Sequence, residues 1–463
     1  MRATLLVFLT CLLMPAVAFG QWQFESVFPP DEEAQYRDAH GIAVDPDGKV
    51  WVQYLPATDS VEVAELDDAW QPVSTVHVFN SDGSPADISP IKFVEVGGET
   101  DTLGGHLYDA AGTPTWFTHA GTGLRSDHEG NIIVTVDGSP GTEVESAIVY
   151  KLDYETGEGL NKATYPARSP VAPGIDGNGN IYLADVFAGG PIHILDQDFN
   201  SLGNAIDATV GFSRGFEVSE DGNTIYWAGY TNSAVVAYQR PDEFSPYDSL
   251  GVIIPGMDSE SMARQPETGY LWVSAGSPND MPNDYEGVET NWQVQTWYAF
   301  DPADFEVDTV PTPLDSLTWQ IGDGASEETD GRPRGIAFSP DGETAYVIQF
   351  NQGAPSVEVF SGSIANAIEV VDAELPGRIT LEQNYPNPFN PTTSIEFAVS
   401  ESGPVSLRLF DSLGRQVATL YEGVTTPGTY SMSFDGTDLS SGMYVYVLEA
   451  GGERITRSMI LAK

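Results

Sequence analysis

Six stretches of this chain repeat one pattern, a short apolar strand, a turn ending in glycine and a second strand, and no other feature limits its fold so tightly. They occupy residues 40–52, 123–134, 173–183, 214–227, 261–273 and 334–347. The turn glycines are Gly48, Gly130, Gly179, Gly222, Gly269 and Gly342, and glycine supplies the positive φ that closes such hairpins. Three or four residues later stands Trp51, Ile133, Tyr182, Tyr226, Trp272 or Tyr346. A large flat side chain recurring there is suited to packing one sheet on the next. A third strand follows most copies, at residues 147–152, 191–195, 234–238, 296–300 and 356–360.

A small sheet of this kind cannot bury both of its faces alone, so repeated copies predict a ring of sheets, a β-propeller. Successive turn glycines lie 82, 49, 43, 47 and 73 residues apart. The middle three intervals suit one blade each, and the outer two hold either long insertions or a degenerate blade. Six blades are predicted, with seven as the alternative. Residues 22–28 form a spare alternating strand ahead of the first repeat, and no clear outer strand follows Phe360. Pairing the two would close the ring and remove an exposed edge. The repeats, including the run from Asp176 through Asn180 to Asp185, resemble the NHL and YVTN-like six-bladed propeller families over residues 21–371. The resemblance implies a fold and leaves activity open.

The 47 glycines and 32 prolines agree with an all-β chain of many short strands and turns. Residues 1–20 read as a secretory signal: Arg2 is a minimal basic start, residues 5–14 are apolar, and Ala16, Ala18 and Gly20 are small enough for cleavage. No later run is long and apolar enough for a membrane helix. The single cysteine, Cys11, falls inside the signal, so the mature chain has no disulfide, thiol nucleophile or thiolate ligand.

A polar linker with Pro and Gly, residues 372–380, separates the propeller from residues 381–463. There the alternating Ile395, Phe397 and Val399 lead into further strands at 405–410, 416–420, 429–434, 443–448 and 454–461, which predict a small immunoglobulin-like β-sandwich. The prolines Pro386, Pro388 and Pro391 keep the segment before it extended. The motif Asn384, Pro386, Asn387, Pro388, Phe389, Asn390 and Pro391, the turn holding Gly414 and Arg415, and the strand starting at Gly442 resemble type A sorting domains of the type IX secretion system. The same pattern is similar to the immunoglobulin-like domain of flagellar hook-capping proteins. The signal and the propeller favour export. The resemblance implies the type IX secretion machinery as partner, passage through the periplasm, and a product released or held at the cell surface.

Net charge is −49, from 68 acidic and 19 basic residues. A polyanion would be repelled and no basic stripe exists, so nucleic acid is excluded as partner. Dispersed acid with five lysines suits a saline habitat. In propellers, ligands sit where the innermost strands begin. Here those positions carry Arg37, Asp38 and His40, Arg125, Arg214, Asp258 and Glu260, and Arg332 and Arg334. In a chain so poor in arginine, this clustering predicts a site for an anionic or polar ligand, against the plainer reading that each arginine pairs with acid on a neighbouring blade. The predicted function is a secreted or cell-surface binding or scaffold protein. The alternative is an extracellular calcium-dependent lactonase- or hydrolase-like enzyme, with Glu260, Asp38 and Glu217 as ion ligands. A divalent ion held in the channel favours the enzyme, and a plugged channel favours the scaffold.

Three further groups are weaker candidates. His106, His119 and His128 lack zinc-site spacing. Residues 176–180 imitate the opening of a calcium loop, but the twelfth position is Phe187, which leaves a hairpin turn as the simpler reading. The acid-rich insertion at 279–289 suits either calcium or solvent. Arg454, Arg457 and Lys463 bring positive charge to the last strand and tail, as a docking face for the secretion machinery would. Replacing all three by Glu is expected to lower the fraction of protein recovered outside the cell. Unchanged export would remove the docking role.

Overall fold

The computed structural model describes residues 22–31, 34–55, 57–63, 69–73, 75–103, 106–108, 114–116, 123–137, 147–167, 169–266, 268–277, 288, 290, 292–321, 331–350, 355–362, 369–372, 378–400, 403–412, 414–425, 428–436 and 439–463. The expected signal, His119 and nearly all of the 279–289 insertion lie outside them.

Five of the six repeats begin from a turn locked by a side chain placed ahead of its glycine. Asp45 Oδ1 accepts the N–H groups of Asp47 at 3.0 Å and Lys49 at 2.9 Å. Asp127 and Asp176 do the same in the second and third repeats, and the hydroxyls of Ser219 and Ser339 in the fourth and sixth. Short polar side chains favour turns through such local bonds. The turn glycine in every repeat has positive φ. In three repeats the recurring aromatic donates back into its own turn: Trp51 Nε1 to Asp45 Oδ2 at 2.9 Å, Tyr182 OH to Asp176 Oδ2 at 3.2 Å, and Trp272 Nε1 to Gln265 Oε1 at 3.0 Å. The same side chain therefore fills space between sheets and fastens its hairpin.

These hairpins grow into six antiparallel sheets, the propeller blades. The first blade is Ala39–Val44, Val50–Tyr54 and Val76–Phe79. The second is Gly123–Ser126, Ile132–Asp137, Ala147–Leu152 and Gly159–Tyr165. The third is Gly174–Ile175, Ile181–Leu183, Ile192–Leu195 and Ser201–Ile206. The fourth is Phe216–Val218, Thr224–Gly229, Ala234–Gln239 and Asp248–Pro255. The fifth is Met262–Arg264, Leu271–Ala275, Thr296–Phe300 and Asp315–Thr318. The sixth runs Arg332–Phe338, Thr344–Phe350 and Val357–Ser361, and its outer strand is the N-terminal Gln23–Val27. Gln23 pairs with Ser361 and Val27 with Glu358, so the spare strand closes the ring.

The 82-residue interval holds insertions and no seventh blade among the described residues. It contains the hairpins Asp59–Val63 with Ala69–Val73, Phe93–Val96 with Glu99–Thr102, and His106–Tyr108 with Pro114–Trp116. The apolar core lies between blades. Trp51, Val76 and Val78 of the first meet Leu124, Ile132 and Val134 of the second, and Tyr346 and Ile348 of the sixth meet Val50 and Tyr54 of the first.

The sequence places the end of the propeller at Val371. In the structure the change of unit falls between Ser363 and Ile364, and Glu369–Asp372 pairs with Gly428–Asp435 of the C-terminal unit. A four-residue strand carries too little pattern to declare which sheet it joins. That unit is a two-sheet sandwich. One sheet orders Glu369–Asp372, Gly428–Asp435, Thr392–Val399 and Thr380–Leu381, and the other Gln416–Thr425, Gly403–Asp411, Gly442–Ala450 and Glu453–Leu461. Ile395, Phe397 and Val399 all point into its core.

Two buried carboxylates sit where the fifth blade meets the sixth. Glu358 accepts the backbone N–H groups of Gln320 at 2.9 Å and Ile321, and burial pushes its carboxyl up to about 8. Asp315, fully buried, is pushed by burial up to about 7. Its unfolded value lies near 3.8, so the folded state holds the proton more tightly. The stabilisation is complete below the unfolded value and is lost as pH rises through the folded one. Asp315→Asn keeps the shape of the side chain but cannot ionise. In thermal melts it is expected to match the parent at pH 4 and to exceed it by roughly 2–4 °C at pH 8. Parallel profiles would show that Asp315 does not titrate in this range.

Candidate functional site

The inner strands approach so closely that the channel is nearly shut. In each blade the residue facing the axis is small: Gly41, Gly123, Ala172, Gly215, Ser261 and Gly335. A Cβ on Gly41 would lie 3.0 Å from Gly123 Cα, and one on Gly123 only 2.1 Å from Ala172 Cα. The void remaining on the axis is about 20 Å³, room for about one water molecule. In all repeats but the fifth this small residue stands seven positions before the turn glycine. That signal was readable in the sequence and is absent from the pattern described above.

Directly ahead of the small residue stand His40, Arg214, Glu260 and Arg334, from the first, fourth, fifth and sixth blades. The structure brings these four together. Glu260 is fully buried and contacts the Arg334 guanidinium, while Arg214 Nε lies 3.6 Å from Glu260 Oε2. Arg334 Nε donates toward His40 Nε2 at 3.4 Å, and both side chains pack on Phe350, at 5.1 Å in each case. Glu260 is fixed through its backbone. Ser274 Oγ accepts the N–H groups of Glu260 and Ser261, and Ser261 Oγ accepts Trp297 Nε1 at 2.9 Å. Burial, then the Arg214 cation, drive the Arg334 pKa well below its ordinary value. A guanidinium stays protonated in proteins, so this pressure appears as a demand for anionic partners. Arg214 keeps about a quarter of its side chain in solvent and stacks over Phe212 at 5.1 Å.

The remaining residues expected on this rim have other partners or other places along the inner strands. Arg125 follows its small residue by two positions instead of preceding it, which sets it roughly 10 Å further along the strand direction. It staples that part of the channel, bonding the carbonyls of Pro173 at 3.2 Å and Met262 at 3.1 Å and pairing with Glu217 at 3.2 Å. Arg37 is exposed and pairs with Asp38 at 3.5 Å. Arg332 opens its strand just ahead of a bulge at which Arg334 itself is the extra residue. Asp258 is buried two residues before Glu260.

The three carboxylates considered as calcium ligands are not one cluster. Asp38 pairs with Arg37, Glu217 with Arg125 and Arg264, and Glu260 with Arg214 and Arg334. Among the described residues no group of three or more His, Cys, Asp or Glu is placed to hold a metal ion. Asp176 spends its oxygens on Asn178, Asn180 and Tyr182 as the cap of its hairpin. His128 Nε2 donates to the Asp176 carbonyl. Sequence reasoning missed Phe350, Phe212 and Tyr230 around the rim, because they stand outside the repeat and nothing local distinguishes them from core aromatics.

In the C-terminal unit the motif residues clamp the last strands. The Tyr446 hydroxyl accepts Asn384 N–H at 2.8 Å and donates to the Glu382 carbonyl at 2.8 Å. Asn384 Nδ2 bonds Pro386 O and Thr393 Oγ1. Asn387 Oδ1 accepts Ile460 N–H at 2.9 Å, and Phe389 exchanges backbone bonds with Ile460 and Ala462. Phe389 itself is buried against Phe434. Gly414 and Gly442 lie at strand junctions, Gly414 with φ of 77°. Tyr446→Phe leaves the Asn384 and Glu382 groups unmatched, which costs about 1–3 kcal/mol. Hydrogen exchange in the strand Gly442–Ala450 is expected to quicken accordingly, and unchanged protection would deny the clamp.

No curated protein matches the sequence. Among solved structures, a luciferin-regenerating enzyme is similar over 73% of this chain and 95% of its own, at 13% identity and a TM-score of 0.41. An auxiliary nutrient binding protein from Bacteroides ovatus is similar over 75% and 76%, at 10% identity and 0.44. The WD40 propeller domain of Doa1 is similar over 74% and 98%, at 12% identity and 0.38. These likenesses are weak, and the propeller rests on its own sheet order and ring closure. No helix among the described residues is long and apolar enough to cross a membrane. Residues 383–462 match the family model of the secretion system C-terminal sorting domain, so the chain carries a type IX sorting domain that sends it to the cell surface or the extracellular space.

Proposed function

We propose that the exported propeller is a binding protein that takes the anionic group of a ligand at the channel mouth. The observation that carries this reading is the convergence of Arg214 and Arg334 on the buried Glu260, with His40 beside Arg334 and Arg214 still reaching solvent. Such fixed, partly desolvated guanidinium groups recognise carboxylate or phosphate oxygens strongly. A channel filled by backbone contact and by the Arg125 staple supports binding at the mouth over chemistry within the axis.

The charge of the whole chain opposes any anion at long range, while the contact at Arg214 is local and partly buried. Salt screens the first far more than the second. Thermal-shift and calorimetric titrations with simple carboxylates and sugar acids are expected to give binding that strengthens from low to moderate salt, the reverse of ordinary ion pairing. Arg214→Gln should weaken it by about tenfold or more. Absence of any melting shift across the anion panel, or an unchanged affinity in Arg214→Gln, would overturn the reading.

A further inference from the structure

The rim continues from Arg214 into a fixed line of aromatic rings over the third and fourth blades. Phe212, under the Arg214 guanidinium, meets Phe187 edge to face at 5.7 Å and Tyr230 at 5.7 Å. Phe187 is 40% exposed, so its ring can be reached from solvent. The support is backbone. Ser213 N–H bonds Val186 O at 2.9 Å, Thr209 N–H bonds Gly190 O at 2.9 Å, and Gly189 N–H bonds Thr209 O at 2.9 Å. Phe212 N–H bonds Thr231 Oγ1 at 3.0 Å, so both loops and the following turn form one unit. Preorganised rings lose little freedom on binding.

Beside Phe187 opens a hollow of about 210 Å³, bounded by Pro166, Ala167, Asp185, Ala188, Gly189 and Gly190. Its lining includes the Asp185 carboxylate, whose Oδ1 accepts the N–H groups of Ser169 at 3.2 Å and Phe187 at 3.4 Å, the backbone of Ala188, Gly189 and Gly190, and Phe187. Small side chains, one aromatic face and a few convergent polar groups are the usual make-up of a site for a small polar ligand. A carboxylate acceptor at the hollow repels a second anion there, yet takes hydroxyl donors. A cation at the other end of the same aromatic line takes an acid. The fitting ligand therefore has hydroxyl groups, a C–H-rich face for the rings, and one acidic group at a distance from its neutral end.

We infer that the hollow at Asp185 and Phe187 is a sugar subsite, and that the ligand is an acidic oligosaccharide whose uronate carboxylate reaches Arg214. This rests on the reading of the channel mouth as an anion site. Three probes separate the two ideas in calorimetric titrations of the full chain: a uronate trisaccharide, its carboxyl-reduced neutral counterpart, and free glucuronate. The trisaccharide is expected to bind at least about tenfold tighter than the neutral counterpart. Phe187→Ala, at an exposed position, should lower trisaccharide affinity about tenfold while leaving glucuronate unchanged, and Phe187→Trp should retain it. If glucuronate binds but Phe187→Ala leaves the trisaccharide unaffected, the sugar subsite is wrong and the anion site stands. Benzoate binding better than every uronate likewise sinks the subsite in favour of an aromatic acid. If neither uronates nor simple carboxylates bind, both ideas fall together.

Discussion

The pairing of Gln23–Val27 with Val357–Ser361 is the contact on which the propeller depends. Every other blade draws its strands from one continuous stretch of chain. The sixth cannot, because its outer strand comes from the far end of the domain. Without that pairing the sixth blade would present an unpaired edge, and the core between the sixth and first blades, where Phe28 meets Phe79 and Tyr346, would lose one wall. Closure is also what brings His40 beside Arg334, since these residues lie at opposite ends of the domain.

Closure then determines where charge can be buried. Small residues at the axis let the inner strands touch, which leaves no aqueous pore to hydrate the side chains just outside. Arg214 and Arg334 are consequently pressed onto Glu260, His40 onto Arg334, and Arg125 onto Glu217. Buried ion pairs of this kind add little net stability, because desolvation offsets much of their attraction, whereas removing one partner alone is costly. Only at the mouth does one member, Arg214, meet both solvent and an aromatic ring.

Much of the architecture was legible. The turn glycines, the recurring aromatics, the spare N-terminal strand and the sandwich strands all follow from local pattern, because positive φ, period-two alternation and turn chemistry are properties of a few adjacent residues. The likeness of Asn384 to Pro391 to sorting domains was equally local. The site was legible only in part. His40, Arg214, Glu260 and Arg334 share a position relative to the inward small residue, and the structure gathers them. Arg125 looked equivalent because it also begins an inner strand, but its offset of three residues puts it in another layer of the channel. Phe212 lies in a loop, Tyr230 in a short 3-10 turn and Phe350 at the end of a strand, and what they meet depends on which blades end up adjacent.

The sequence alone therefore determined the repeating unit, the all-β class, the two-part organisation and the route out of the cell, since each is encoded within a short span. The tertiary structure decided the count of six blades, the filling of the channel, the partner of each carboxylate, and the sheet that receives Glu369–Asp372. Those depend on contacts between residues as distant as Gln23 and Ser361. Such contacts arise only when sheets stack and a ring of fixed circumference has to close.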